Sequence, residues 1–403
     1  MTDSLKDTLL LTIIHHIRNG KGHVLSYHQA VSGAARQQGI DHHAIISSDP
    51  EISDTAFGCD NIHHASHNLL ELEREPMMTL VKSPAFYKLV PDTFRLAADL
   101  AAAFRQIGTA NKRIFVFYES FNPFQLAALF IAYFQLGRPA GWTFLLLMRG
   151  SDKWGLEEHS LMSRGFHFGF WVLLKLNSYI TRAGVRLLSD SETVARRLRE
   201  YYREPVTVFP IPHTASTGDA GPKSSRDEEK VKLWWPGHPR PDKGASLINA
   251  LISHDDPRLA RFELAHARTD LLDARQAAIG TRELNPMLSR NAYIEQFEEA
   301  DAILLPYSKS VYNEATSGVF VETIFHARVP FVTSETWMAD ELRRFNLEWA
   351  IFDGTVQDLI ERLASVDFSD LPAEFGDMVK HYRIYHSVSS FGRHLETAMT
   401  QDV

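Results

Sequence analysis

Short apolar runs alternate with helical patterns along almost the whole chain, and this alternation restricts the fold more than any other feature. In the first half of the chain, segments with apolar residues at helical spacing, such as 23–38 and 123–136, separate the runs. The strand-like runs there are residues 9–14, 44–46, 114–117, 143–147, 185–188 and 206–209. Because strand–helix–strand units build parallel sheets covered by helices, the pattern predicts an α/β fold.

The alternation is interrupted at residues 213–230, which have no apolar periodicity and indicate a linker. It resumes with strand-like runs at 231–235, 262–265, 302–306 and 331–333. A chain of 403 residues exceeds the usual limit of one hydrophobic core. We therefore predict two Rossmann-like lobes, residues 1–212 and 231–380, with ligand in the cleft between them. The helical pattern near the C-terminus predicts that residues 381–403 pack back on the first lobe.

Charge and cysteine content limit the partners and the compartment. The net charge of -8 provides no general basic field, which argues against nucleic acid as a partner. The single cysteine, Cys59, excludes an internal disulfide and fits a reducing cytosol. The first residues do not form a signal peptide, and no run reaches the roughly 18 apolar residues of a membrane-spanning helix. We expect a cytoplasmic protein.

Several common site motifs are missing. There is no Asp-x-Asp triplet, no Gly-x-Ser-x-Gly elbow and no Gly-x-Gly-x-x-Gly turn, which argues against a divalent-cation site, a hydrolase triad and a nicotinamide enzyme. His63 and His67 have a helical spacing that would suit zinc, but no cysteine or second motif accompanies them. We expect no metal and no cofactor.

Two glutamates, Glu314 and Glu322, stand eight residues apart just after the apolar run 302–306. A helical pattern starts between them. The start of a helix offers free backbone N–H groups and a positive dipole end, which bind phosphate. Carboxylates on either side of such a site would accept hydrogen bonds from hydroxyl groups. The segment therefore suits a nucleotide-sugar.

Two strand-to-helix turns carry further chemistry. The turn after the run 231–235 contains Arg240 and Lys243, and two cations would neutralise a leaving diphosphate. The turn after the run 9–14 contains Gly20 and Gly22, which would let backbone N–H groups approach a phosphate or a sugar.

These motifs resemble those of retaining glycosyltransferases with the GT-B fold, particularly glycosyltransferase family 4. The two-glutamate spacing, the Gly…Arg-x-x-Lys-Gly loop about 70 residues before it and the Gly-rich first turn match that family in order. The resemblance implies a GT-B fold with two Rossmann-like lobes and a C-terminal helix that crosses back.

The resemblance also implies roles for single residues. Glu322 would hold the ribose hydroxyls, and Glu314 would contact the donor sugar near the reacting carbon. Arg240 and Lys243 would bind the diphosphate. Further donor contacts would come from the backbone of Ser317, Gly318 and Val319 and from Gly20 and Gly22.

The sequence departs from the family at three places. Ser317 stands where the family usually has Gly, and His238 stands where it usually has Arg. Many relatives have a histidine after the strand that corresponds to 143–147, whereas this chain has Met148 and Arg149. Arg149 is therefore our acceptor-side candidate, as a contact for a phosphate or for the acceptor.

The expected activity is that of a hexosyltransferase that uses a nucleoside-diphosphate sugar and retains the configuration. Its expected acceptor is a glycan or a lipid-linked saccharide of cell-envelope or exopolysaccharide synthesis. Residues 165–176 form an aromatic patch, which suits either a core helix or a contact with the inner membrane face. Two alternatives stay open: a nucleotide-sugar epimerase, and a catalytically silent glycan-binding or scaffold subunit.

Overall fold

A computed structural model describes residues 7–14, 23–47, 58–65, 86–108, 112–119, 121, 123–149, 172, 183–212, 230–269 and 278–400. The predictions for Gly20 and Gly22, for the linker up to residue 229 and for most of the aromatic patch lie outside these ranges. The described residues form thirteen strands and twelve α-helices, and the chain divides into two compact units.

Unit 1 comprises Met1–Thr214 and Ser387–Val403. Its strands are parallel, in the order β3-β2-β1-β4-β5-β6-β7. The elements are β1 (Thr8–Ile14), α1 (His23–Gln37), β2 (Asp41–Ser47), β3 (Asn61–Ala65), α2 (Phe86–Ile107), β4 (Arg113–Glu119), α3 (Pro123–Gln135), β5 (Trp142–Met148), β6 (Gly184–Ser189), α4 (Glu192–Tyr202), β7 (Val206–Val208) and α12 (Val388–Thr400).

Both faces of the unit 1 sheet are buried. Alternate residues of a strand point to opposite faces. Accordingly, Leu9 and Leu11 of β1 pack in one core cluster, and Leu10 packs in another. This explains why the interior strands are continuous apolar runs. The second cluster also contains Phe391 and Leu395, so the C-terminal helix α12 is part of the unit 1 core.

Unit 2 comprises Ala215–His386. Its parallel strands have the order β10-β9-β8-β11-β12-β13. The elements are β8 (Val231–Trp235), α5 (Ala245–Ile252), β9 (Phe262–Ala267), β10 (Gly280–Leu284), α6 (Arg290–Glu299), β11 (Ala302–Leu305), α7 (Lys309–Tyr312), α8 (Gly318–Phe325), β12 (Val329–Thr333), α9 (Trp337–Arg343), β13 (Ile351–Phe352), α10 (Val356–Ser365) and α11 (Ala373–Tyr385).

The predicted α/β class is confirmed, with one parallel sheet in each unit. The structure adds three strands that the sequence did not predict, β3, β10 and β13. Near the C-terminus, the chain passes from unit 2 to unit 1 between His386 and Ser387, where α11 has ended and α12 begins. No helix of the described residues combines the length and the apolar character needed to span a bilayer.

Candidate active site

The strand order of unit 2 reverses between β8 and β11. From β8 the chain builds the sheet outwards through β9 and β10, and it then continues on the other side of β8 with β11, β12 and β13. Loops at the carboxyl ends of two such strands run apart and leave a crevice, where open α/β sheets bind their ligands. The predicted donor residues of this unit lie on the segments that follow β8 and β11.

The loop after β8 is fixed against the loop after β11. The backbone N–H of Ser308 donates to the carbonyl of Asp242 at 2.8 Å. Gly244 has a φ of 81°, and a Cβ added there would lie 2.1 Å from the carbonyl oxygen of Pro306. Only glycine therefore allows this approach. The indole N–H of Trp235 donates to the carbonyl of Lys243 at 3.1 Å, which ties the loop to its own strand.

The loop after β8 presents two cations and one carboxylate. The ammonium of Lys243 lies 5.4 Å from the centre of the Tyr307 ring, so the contact joins the two loops. Arg240 donates to Asp242 at 2.8 Å and is half exposed. Burial lowers the pKa of Lys243, Arg240 also lowers it, and Asp242 opposes the change, so that the pKa is about 8. A diphosphate would compensate for this desolvation and repulsion.

Both predicted glutamates are buried, at 2% exposure for Glu314 and 1% for Glu322. Glu314 lies between α7 and α8, and Glu322 lies on α8. Arg290 donates to Oε1 of Glu322 at 2.7 Å, and the hydroxyl of Tyr293 donates to Oε2 at 3.1 Å. A buried charge needs such partners. Helix α6 therefore supplies two residues of the site that the sequence did not predict.

Helix α8 begins inside the two-glutamate segment. Ser317 is its N-cap, and its hydroxyl accepts from the N–H of Phe320 at 3.2 Å. The first helical residues are Gly318 and Val319. The serine at position 317 thus has a local role, because its hydroxyl accepts a hydrogen bond that glycine, which has no side chain, could not accept. No acidic residue occupies the first turn of α8.

The acceptor-side candidate lies in unit 1. Arg149 directly follows β5 and reaches two buried carboxylates. Its Nη2 lies 3.1 Å from Oε2 of Glu119, and its Nε lies 3.4 Å from Oδ2 of Asp190. The guanidinium lies over the ring of Tyr27 at 4.5 Å. On the other side of Glu119, its Oε1 is 3.1 Å from Nε2 of His28. The sequence did not predict these four partners.

Histidines do not form a metal centre in the described parts of the chain, where no group of three or more potential ligands is suitably arranged. His63 lies on strand β3 rather than on a helix, so the predicted helical spacing to His67 does not apply. Its Nε2 is instead 2.9 Å from Nδ1 of His43 on the neighbouring strand.

The sequence matches no protein-family model and no curated protein. Solved structures share its fold over nearly the whole chain. The trehalose-6-phosphate protein from E. coli bound with UDP-2-fluoro glucose has a TM-score of 0.64 at 10% identity, covering 98% of this chain and 100% of that chain. Trehalose-6-phosphate synthase OtsA has a TM-score of 0.62 at 12% identity, and the match covers 98% of this chain and 99% of that chain. TarM has a TM-score of 0.63 at 9% identity, and the match covers 99% of this chain and 100% of that chain. At these identities the likeness shows the fold, which is GT-B.

Proposed function

We propose that this protein is a glycosyltransferase that moves a sugar from a nucleoside-diphosphate sugar to a saccharide acceptor with retention of configuration. The observation that carries the proposal is the junction of the loops after β8 and β11. It brings Lys243 close to Tyr307 at the switch point of unit 2. Tyr307 lies on the segment that continues to the two buried glutamates. The structure bound with UDP-2-fluoro glucose has the same fold, which supports a nucleotide-sugar donor.

The proposed donor contacts divide the nucleotide-sugar among three elements. Lys243 and Arg240 bind the diphosphate together with the start of α8. Glu322 accepts from the ribose hydroxyls. Arg290 and Tyr293 bind the two oxygens of this carboxylate and orient it. Glu314 contacts hydroxyls of the sugar.

The proposed reaction breaks the bond between the anomeric carbon and the diphosphate oxygen and forms a bond from that carbon to an acceptor hydroxyl on the same face. The departing phosphate takes the acceptor's proton. Negative charge grows on the diphosphate as its bond to the anomeric carbon breaks, and Lys243 and Arg240 stabilise this charge. Glu314 orients the sugar and stabilises the positive charge that develops on it. No metal takes part in this scheme.

The proposal extends to the acceptor and to the site in the cell where the protein meets it. We propose a glycan or lipid-linked acceptor of cell-envelope or exopolysaccharide synthesis, met at the inner membrane face through the aromatic patch. Replacing Phe166, Phe168, Phe170 and Trp171 by alanine should release the protein from anionic vesicles in a sedimentation assay. Unchanged sedimentation contradicts the membrane contact and leaves the donor site unaffected.

A thermal-shift screen against UDP, GDP, ADP, dTDP and CMP, with and without magnesium, tests the donor site. Saturation at a hundredfold excess over Kd stabilises the protein by about 2.7 kcal/mol. The Lys243→Ala protein should show no increase in melting temperature with the nucleotide. Lys309→Ala is the matched control, because Lys309 is an exposed lysine of the same unit that pairs with Glu335 at 3.0 Å.

Transfer from the corresponding nucleotide-sugar, followed by mass spectrometry of the products, then separates the alternatives. A new glycoside supports the proposal. An altered sugar nucleotide without acceptor identifies an epimerase, and nucleotide binding without turnover identifies a silent subunit. If no nucleotide shifts the melting temperature, the donor site is wrong.

A further inference from the structure

The two predicted diphosphate cations of unit 2 each contact a tyrosine of the segment after β11. The ammonium of Lys243 lies over the ring of Tyr307, 5.4 Å from its centre. The guanidinium of Arg240 donates a hydrogen bond to the phenol oxygen of Tyr312. The two rings also contact each other, with their centres 4.5 Å apart and an angle of 45° between their planes. Two cations from one loop thus contact an aromatic pair from the other.

Backbone contacts fix this aromatic pair, Tyr307 and Tyr312, against the loop that carries the cations. Tyr307 follows the end of β11 by two residues and is 1% exposed. Tyr312 ends α7, and its N–H donates to the carbonyl of Ser308 at 2.9 Å. The N–H of Ser308 donates in turn to the carbonyl of Asp242 at 2.8 Å. A short chain of backbone hydrogen bonds therefore joins the aromatic pair to the loop after β8.

The phenols contact the cations without cancelling their charge. Burial is the largest effect on both phenols and raises the pKa of Tyr307 and of Tyr312, so both stay neutral at physiological pH. A carboxylate in either place would form an ion pair. A ring face instead attracts a cation through its quadrupole and adds no negative charge. The aromatic pair therefore orients the two cations and leaves their charge for an anion.

The lysine gains most from such a contact. A lysine side chain has many rotamers, and fixing it when a ligand binds costs conformational entropy. The ammonium of Lys243 is already confined, because it lies over the ring of Tyr307 and close to Gly237. Gly237 has a φ of 88°, and a Cβ added there would lie 3.1 Å from the ammonium. A cation that is ordered before the ligand arrives loses less entropy on binding.

We propose that Tyr307 and Tyr312 are positioning residues that preorganise Lys243 and Arg240 for the two phosphates of the donor. This inference rests on the proposed function and adds two residues to its donor site. Lys243 and Arg240 touch the diphosphate, and the tyrosines act through them. The sequence did not predict either tyrosine as a site residue.

Calorimetric titration of the full-length protein with inorganic pyrophosphate tests the proposal, because pyrophosphate has two phosphates and no nucleoside. Tyr307→Leu removes the ring and should increase the Kd of pyrophosphate at least about threefold. Tyr307→Phe keeps the ring and should restore the wild-type Kd. Tyr312→Phe keeps the second ring but removes the acceptor of Arg240, and it should increase the Kd about threefold.

Phe331→Leu is the matched control for the loss of a buried ring. Phe331 lies on β12 of the same unit, is fully buried and packs against Trp349. It should leave the Kd of pyrophosphate unchanged.

NMR of protein labelled with ¹³C at the lysine ε carbons provides a measurement that needs no ligand. The ring current of Tyr307 should shift the Lys243 ε-proton resonance upfield of those of exposed lysines, and Lys243→Arg assigns that resonance by removing it. Tyr307→Phe should preserve the shift. A role of Tyr307 in packing alone does not require this shift.

Four results overturn the inference: no binding of pyrophosphate to the wild-type protein, an unchanged Kd in folded Tyr307→Leu, an equal increase in Phe331→Leu, or no upfield shift of Lys243. If Tyr307→Leu does not fold, the Kd of Tyr312→Phe and the Lys243 resonance of the wild-type protein decide. The titration contains no nucleotide, so its failure is distinct from a failed nucleotide screen.

Discussion

The charge of Lys243 should control nucleotide binding at mildly alkaline pH. Burial and, next in size, the charge of Arg240 lower its pKa, Asp242 opposes the change, and the resulting pKa is about 8. A diphosphate beside the ammonium favours the charged form and raises the pKa towards the ordinary value of about 10.4. The complex then binds more protons than the free protein. Affinity is therefore full below pH about 8 and decreases as the pH rises above it.

The expected effect is large enough to measure. At pH 9 only about one free molecule in eleven has a charged Lys243, so the apparent Kd increases about tenfold relative to pH 7, or about 1.4 kcal/mol. The increase continues at about tenfold per pH unit until the pKa of the complex is reached. The second ionisation of a phosphate has a pKa of about 6, so the nucleotide contributes no slope in this range.

Calorimetric titration with the nucleoside diphosphate, at several pH values and in buffers of different ionisation enthalpy, measures both affinity and proton uptake. About 0.9 proton should be taken up at pH 9. Lys243→Arg is the control, because a guanidinium stays charged throughout this range and should abolish the slope. An affinity that is constant between pH 7 and pH 9, or a slope that persists in Lys243→Arg, refutes the reasoning.

Three further substitutions test other parts of the site. Arg290→Met removes the cation that hydrogen-bonds to Glu322. It should lower the free energy of unfolding, measured by urea denaturation, by about 1.5–3 kcal/mol, and it should weaken nucleotide binding. Gly244→Ala should lower the free energy of unfolding by more than about 2 kcal/mol, because its added Cβ meets a carbonyl oxygen at 2.1 Å. The control is Gly108→Ala, where φ is 68° and the added Cβ meets open space, and it should lower the free energy of unfolding by about 1 kcal/mol. Glu314→Gln should reduce kcat at least about tenfold in a transfer assay and change the nucleotide Kd little.

The sequence predicted the interior strands and missed three strands at the sheet edges. β1, β4, β5, β8 and β11 are covered on both faces, so each is a continuous apolar run. In contrast, β3 has the sequence Asn-Ile-His-His-Ala, β10 has Gly-Thr-Arg-Glu-Leu, and β13 has only two residues. β3 and β10 are only partly buried and contain few apolar residues, whereas β13 is buried but has too few residues for an apolar pattern.

The sequence also indicated which loops carry the site, but not how its side chains pair. Lys243 and Glu314 each follow a predicted strand, so the positions of the loops followed from the alternation. One partner of Glu322 is Arg290, 32 residues away at the start of another helix. Such a contact depends on how α6 and α8 pack, and no local periodicity encodes that packing.

The distribution of buried carboxylates connects both units to function. Among the residues that the structure describes, the buried acidic side chains are Glu119, Asp190, Glu314 and Glu322. Two lie in each unit, and all four lie on segments at or after the carboxyl ends of β4, β6 and β11, of which β4 and β11 border a switch point. Burial of a carboxylate costs free energy wherever it occurs. Helices begin at this edge, so their positive dipole ends stabilise carboxylates there, and open α/β sheets also bind their ligands at this edge. The positions of Glu314 and Glu322 therefore fit the proposed donor site of unit 2.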